Sequence, residues 1–231
     1  MRAALASLMC ASVLLTTGCQ VMPDGGAPMD RSRLISDMIA QVHRAGERTY
    51  HAEYLLDNGV RGEIAQHVRP SQAAYGYPGG RLMAAADGLT SCVTAVRPAR
   101  CQIRPVPKPG PLGLAPYTEL VRHGLVTAPV LDDLLGVVEV QTQATVEAHD
   151  TTVAGRQATC LEVSGLIETT AAGFTVCVTS DGVLASFTGV LDGIEIDQAL
   201  LRLSADPPAD AFTVPNGARV VDHRPSATPK P

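Results

Sequence analysis

The chain contains no tryptophan, and its five tyrosines and three phenylalanines bring aromatic side chains to only 3% of 231 residues. Base-stacking platforms and aromatic cages need more than that, so the buried surface is expected to be aliphatic. Charge is scarce too. Charged residues are 18% of the chain, and no Lys/Arg run lies behind the net charge of −5. Neutralising phosphates takes clustered positive charge, so no nucleic-acid partner is expected. The uncharged stretch at residues 3–18 falls short of the about twenty apolar residues of a membrane span. Catalytic signatures are missing as well: there is no G-x-S-x-G elbow, no H-E-x-x-H, no phosphate-cradling G-x-x-x-x-G-K and no G-x-G-x-x-G after a strand.

What is present begins with the leader. Arg2 precedes the short apolar stretch, which reads as a signal peptide over residues 1–18. Its end, Leu15-Thr16-Thr17-Gly18-Cys19, resembles the lipobox of bacterial lipoproteins, although Thr16 stands where that family usually has Leu. The resemblance implies that Cys19 is lipidated and that the chain is anchored at the extracytoplasmic face of the cell membrane. Two or three acyl chains hold a domain stably where one does not. Residues 19–30, with Pro23, Gly25, Gly26 and Pro28, then read as a tether, residues 31–223 as one domain, and residues 224–231 as a disordered tail.

Of six cysteines, Cys10 leaves with the leader and Cys19 carries lipid, which leaves Cys92, Cys101, Cys160 and Cys177. Local pairing is expected, Cys92 with Cys101 and Cys160 with Cys177. In residues 159–163, Leu161 and Val163 share one strand face, as do Phe174, Val176 and Val178 in residues 174–178. Cys160 and Cys177 then occupy the other face, opposite one another across an antiparallel hairpin. Spacings of nine and seventeen are not those of a C-x-x-C zinc site, so no metal is expected.

Leu34, Ile35, Met38, Ile39 and Val42 form an apolar stripe at helical period, with Asp30 or Ser32 available as N-cap and Gly46 as a stop. The period then switches to two. Residues 49–56 and 60–68 flank Asp57-Asn58-Gly59, a strong hairpin signal. Further turns at residues 77–80, 87–88, 97–98, 181–182 and 192–193 make a meander rather than a set of βαβ units. Residues 138–149 alternate for twelve residues and read as a strand with one dry and one wet face. Between residues 105 and 116 five prolines make an extended loop, followed by short helices at 117–123 and 130–135. The expected fold is α+β: a strongly bent antiparallel sheet, an incomplete barrel of about ten strands, with helices covering its concave face.

These features together resemble the extracytoplasmic lipid-carrier family typified by the LolA and LolB lipoprotein-sorting proteins and the mycobacterial lipoproteins LppX and LprG. The matching features are the lipobox-like Cys19, the first helix running into Thr49-Tyr50-His51-Ala52, the strand 174–178 followed by Asp181-Gly182, and an ending with Phe212-x-x-Pro215 that looks like the family's closing strand. The resemblance implies a hydrophobic or lipid ligand in an aliphatic cavity, lined by Val138, Val140, Val146, Leu161, Val163, Phe174 and Val176, without a cofactor. A packed half-barrel that binds an envelope protein, as in sigma-factor regulators of the RseB type, is the alternative. No enzyme activity is expected. His123 with Asp132 and Asp133 is the one conceivable dyad, and helix-end charges explain it as well. His149 reads as solvent-facing, and Glu139 and Glu147 as solubilising charges.

Overall fold

The computed structural model describes residues 31–108, 111–167 and 169–225. The leader, Cys19, the tether before Arg31 and tail residues 226–231 lie outside the described residues. The chain opens with α1 (Arg31–Ala45), then β1 (Tyr50–Leu55), β2 (Arg61–His67), β3 (Gln72–Tyr77), β4 (Gly80–Ala85), β5 (Gly88–Val93) and β6 (Arg100–Arg104). Two helices follow, α2 (Pro111–Val121) and α3 (Ala128–Val140). The rest is β7 (Thr145–Val153), β8 (Arg156–Ser164), β9 (Ala171–Thr179), β10 (Leu184–Leu191), β11 (Ile194–Ser204) and β12 (Arg219–Asp222).

All twelve strands join one unclosed sheet in the order β12-β6-β5-β4-β3-β2-β1-β11-β10-β9-β8-β7. The β1–β2, β3–β4, β9–β10 and β10–β11 hairpins fall at expected turns, where Gly59, Gly79, Gly182 and Gly193 supply the positive φ that tight turns require, whereas the β2–β3 turn at residues 68–71 and the β7–β8 turn at Ala154-Gly155 lie outside the expected set. Gly182 shows the requirement sharply. At φ +89° it closes the β9–β10 turn against α1, where an added Cβ would lie 2.2 Å from the Gln41 carbonyl oxygen. Two further strands beyond the expected ten, and one parallel pairing, come from the ends. β12 lies parallel to β6, from Arg219 beside Arg100 to Asp222 beside Ile103. The Phe212-x-x-Pro215 segment is not itself a strand but part of an irregular strap, residues 205–218, that crosses the convex face before β12 begins.

Residues 138–149 are not one strand. Val138 and Val140 belong to the last turn of α3, and β7 starts only at Thr145. Val130, Leu131, Leu134, Leu135 and Val138 make a buried stripe with the same spacing as the α1 stripe, and that stripe pulls the segment into a helix. Val146 lies at the start of β7, half-buried against the core.

The sheet's concave face carries two apolar clusters. Over β8–β11, α1 and α3 pack directly on Leu161, Val163, Phe174, Val176, Val178, Phe187 and Ile196. Full burial of each such side chain contributes about 1.5–3 kcal/mol. Over β1–β4 the cluster is Tyr50, Tyr54, Ile64, Tyr75 and Leu82, with Leu120 and Leu125 from the end of α2 and its following turn. On the convex face the strap lays Ala211, Phe212 and Val214 over Ala65, Ala74, Met83 and the Cys92–Cys101 bond. Both expected disulfides are present, each between directly opposed strand residues. Such bonds persist in oxidising compartments, which fits an extracytoplasmic protein.

Candidate functional site

The helical insertion must travel from β6, next to one edge of the sheet, to β7 at the other edge. It does so across the concave face. Its midpoint is fixed by Gln198 of β11, whose buried side-chain amide accepts from the Val126 N–H at 2.6 Å and donates to the Val126 carbonyl at 3.2 Å. One glutamine thereby satisfies both backbone groups of a buried turn, as a neighbouring strand would. From that point α3 runs over the C-terminal strands and α2 turns back over the N-terminal ones.

Two ring contacts hold the returning arm. Tyr117 of α2 meets Tyr75 of β3 edge-on, with ring centroids 5.6 Å apart. His123 stacks on Tyr77 at 4.3 Å. Burial pushes the Tyr75 and Tyr117 hydroxyls to ionise above the ordinary tyrosine value, and for Tyr75 the neighbouring Tyr117 and Tyr50 add to the effect. Both tyrosines are therefore neutral donors at physiological pH.

Beyond the Tyr75–Tyr117 contact the sheet and the insertion part. A groove of about 790 Å³ opens between β3–β5, residues 106–108, α2 and the start of α3. Its sheet side carries Ala73 and Ala84, both half-buried, with Tyr75 and Leu89. Val106, Pro107, Leu114 and Tyr117 face them from the insertion. Small side chains leave the space that branched ones fill over the C-terminal strands. Polar groups rim it: Gln66, Ser71, Gln72, Lys108, Asp132 and Asp133. Asp132 is bound across the helices by His43, with Nε2 2.9 Å from Oδ1.

A second concavity, of about 700 Å³, lies on the convex face beside the strap. It is polar, and its charges are mutually paired. Glu63 takes His51 at 3.3 Å and Arg81 at 3.6 Å, while Glu53 takes Arg61 at 3.3 Å. Arg81 also donates to the strap carbonyl of Asp210 at 3.1 Å. The Arg81 hydrogen bond holds the strap on the sheet, and the ion pairs engage the charges of the concavity with one another rather than with a ligand, so the concave groove is the better candidate.

The expected cavity residues sit elsewhere. Val138, Leu161, Val163, Phe174 and Val176 are buried in the packed C-terminal cluster, with Val146 half-buried beside them. Val140 is corrected outright: as a helical residue it points outward and is 76% exposed. The conceivable dyad is also not assembled, because His123 stacks on Tyr77 and Asp132 pairs with His43. His149 is exposed beside Glu162 at 3.3 Å, and Glu139 and Glu147 lie on different elements, α3 and β7. Among the described residues no three His, Cys, Asp or Glu side chains are close enough to hold a metal ion. The groove residues carry no sequence signal of their own. Ala73 and Ala84 read as ordinary strand residues, and only the crossing of the insertion gives their small size a meaning.

No protein-family model and no curated protein matches this chain. Among solved structures, an uncharacterized conserved protein from Thermus thermophilus is similar at a TM-score of 0.49 and 9% identity, over 81% of this chain and 98% of that one. A chain of the Pseudomonas aeruginosa MucA/MucB complex is similar at 0.48 and 15% identity, over 78% of this chain and 60% of the other. MucB crystallised alone is similar at 0.48 and 14% identity, over 82% and 66% of the two chains.

Proposed function

We propose that this protein is a lipid-anchored extracytoplasmic binding protein that holds an amphiphile in the concave groove, apolar chain inward and polar group at the rim. The observation that carries this reading is the groove itself, with apolar walls from two separate elements, a pair of tyrosine rings at one end and a mixed-charge rim. Sites for small amphiphiles are concave, mainly apolar and supplied with a few placed polar groups. The reading is of binding and release without bond chemistry. Lipidation at Cys19 rests on the lipobox-like sequence and completes the reading, placing the domain at the outer face of the cell membrane.

The test uses protein purified from membranes with its anchor intact. Mass spectrometry of organic extracts should find a co-purifying amphiphile in wild type and lose it in Ala84→Phe, which fills the groove. An empty wild type that also fails to take up a fluorescent fatty acid would sink the binding reading. Metabolic labelling with a fatty acid in wild type and Cys19→Ala tests the anchor separately, and label retained by the variant would refute it.

A second reading, an envelope-protein interaction module, is favoured by the solid packing of the C-terminal half and by β7, a nine-residue strand at the sheet's edge. Capture of a protein partner that Ala84→Phe does not disturb would support this second reading.

A further inference from the structure

The start of α1 is tied to the end of α3. The Arg31 guanidinium donates to the Val138 carbonyl and, at 2.5 Å, to that of Gln141. Gln141 is tied in turn to the β8–β9 loop, accepting from the Ile167 N–H at 2.9 Å and donating to the Ile167 carbonyl at 2.8 Å. The β10–β11 turn joins the same end through the Asp192 N–H, which donates to the Thr170 carbonyl at 2.8 Å. Four separate pieces of chain therefore meet in one cross-tied tip.

This tip is apolar on its outside. Val140 is 76% exposed, Ile167 55% and Val190, just before the β10–β11 turn, 45%. Scattered exposed valines are ordinary, but here three branched side chains stand at one end of the molecule. That end is also where the tether arrives. Cys19 precedes Arg31 by twelve residues, a length of chain that can reach at most about 40 Å. An anchor at Cys19 therefore keeps the tip, where Arg31 begins α1, within about 40 Å of the bilayer.

We propose that this tip is a membrane-contact surface, in which Val140 and Ile167 enter the lipid interface while the rest of the domain stands above it. The proposal rests on the reading of Cys19 as the anchor. Charge near the tip is mixed, with Arg31 and Arg33 on α1 against Asp133, Glu139, Asp192 and Glu195, so no cationic excess draws it to anionic lipid. Insertion is accordingly hydrophobic and indifferent to the fraction of anionic lipid. α3 runs from the groove, at Pro129 and Asp132, to the tip at Val140. With the tip down, the groove lies about one helix length above the bilayer, roughly 18 Å at 1.5 Å per residue.

The test uses the full chain purified with its anchor and reconstituted into vesicles of phosphatidylethanolamine with varied phosphatidylglycerol. Val140→Cys, Ile167→Cys and, as control, Val220→Cys each carry an environment-sensitive fluorophore, the native cysteines being in disulfides or lipidated. Quenchers on lipid chains should reduce emission roughly two-fold at 140 and 167, the depth expected for side chains seated about 5–10 Å into the interface, and leave 220 unchanged at every lipid composition. Vesicle-bound protein with all three probes in water would overturn the contact surface and leave the anchor standing. Protein that does not bind vesicles at all would overturn both. Quenching at 140 and 167 that vanishes without phosphatidylglycerol would overturn the hydrophobic mode of insertion.

Discussion

The two halves of the sheet meet where β1 pairs with β11, and they cover their concave faces in opposite ways. The C-terminal half has two helices lying flat upon it, phenylalanines Phe174 and Phe187 stacked with centroids 5.5 Å apart, and a filled core. The N-terminal half has one helix attached at its end, alanines where the other half has valines and leucines, and an open groove. All five tyrosines are in or over this half, at 50, 54, 75, 77 and 117, and the C-terminal strands have none. The difference follows from the reach of the insertion. α3 and α1 brace each other over β8–β11, whereas α2 has only its last turn and two ring contacts to press it onto β1–β4. A half-barrel can thus be rigid and open at once, with one half supplying stability to a site built on the other.

The contrast can be broken most severely from the packed side. Phe187→Ala should cost about 3–5 kcal/mol in urea unfolding, as expected for a fully buried aromatic in a site that cannot collapse. A loss below about 1 kcal/mol would mean that the C-terminal core is not filled. Removing either disulfide, as Cys160→Ala with Cys177→Ala or as Cys92→Ala with Cys101→Ala, should cost about 3 kcal/mol, because loops of these lengths differ little in closure entropy. A much larger effect for one pair would show that the two halves unfold separately.

Alkaline titration sharpens the comparison further. Burial raises the ionisation of Tyr50, Tyr54 and Tyr75 above the ordinary value. In the unfolded chain these hydroxyls lose protons near about pH 10, earlier than in the folded one. Their contribution to stability is therefore complete below about pH 10 and is lost as pH rises beyond it. Tyrosinate absorbance should appear together with unfolding, and hydrogen exchange should open β1–β4 before β8–β10. Exchange that opens first in β8–β10 would contradict the assignment of the tyrosines to the weaker half. The smallest effect on stability is expected for Ala84→Phe. It enters open space and should change stability by less than about 1 kcal/mol while abolishing uptake of a fluorescent fatty acid. A loss of several kcal/mol would mean that the groove is closed in solution.

Local signals in the sequence are enough to place α1, most turns and both disulfides, because a helical stripe, Asn-Gly or Asp-Gly turns and strand alternation all act within about ten residues. The segment 138–149 misleads for the same reason. Val138-Glu139-Val140 alternates like a strand, and β-branched residues favour one, but the stripe from Val130 to Val138 buries more surface as a helix against α1. The groove is illegible in the sequence because it depends on where the insertion crosses the sheet. That path is set by β6 and β7 lying near opposite edges of the sheet, a relation between strands separated by the whole insertion, and by Gln198 reaching Val126. An aliphatic cavity is expected over the valine-rich strands, yet high apolar content there leads to tight packing, and open space arises beside alanines.

The β1–β11 seam also sets an order of events. Tyr50, Ala52 and Tyr54 are made early in synthesis, but their strand partners, residues 199–204, come far later in the chain. A chain emerging on the far side of a membrane from its N-terminus can assemble the β1–β6 hairpins as it arrives, since each pairs with its neighbour. Through that whole interval one edge of β1 has no partner, and an unpaired edge is a template for wrong pairings. Closure is the step of longest sequence separation and hence the slow one. Tyr54 spans the seam: its hydroxyl donates to the Leu184 carbonyl at the start of β10 at 3.0 Å, a bond that cannot form until β10 has been made.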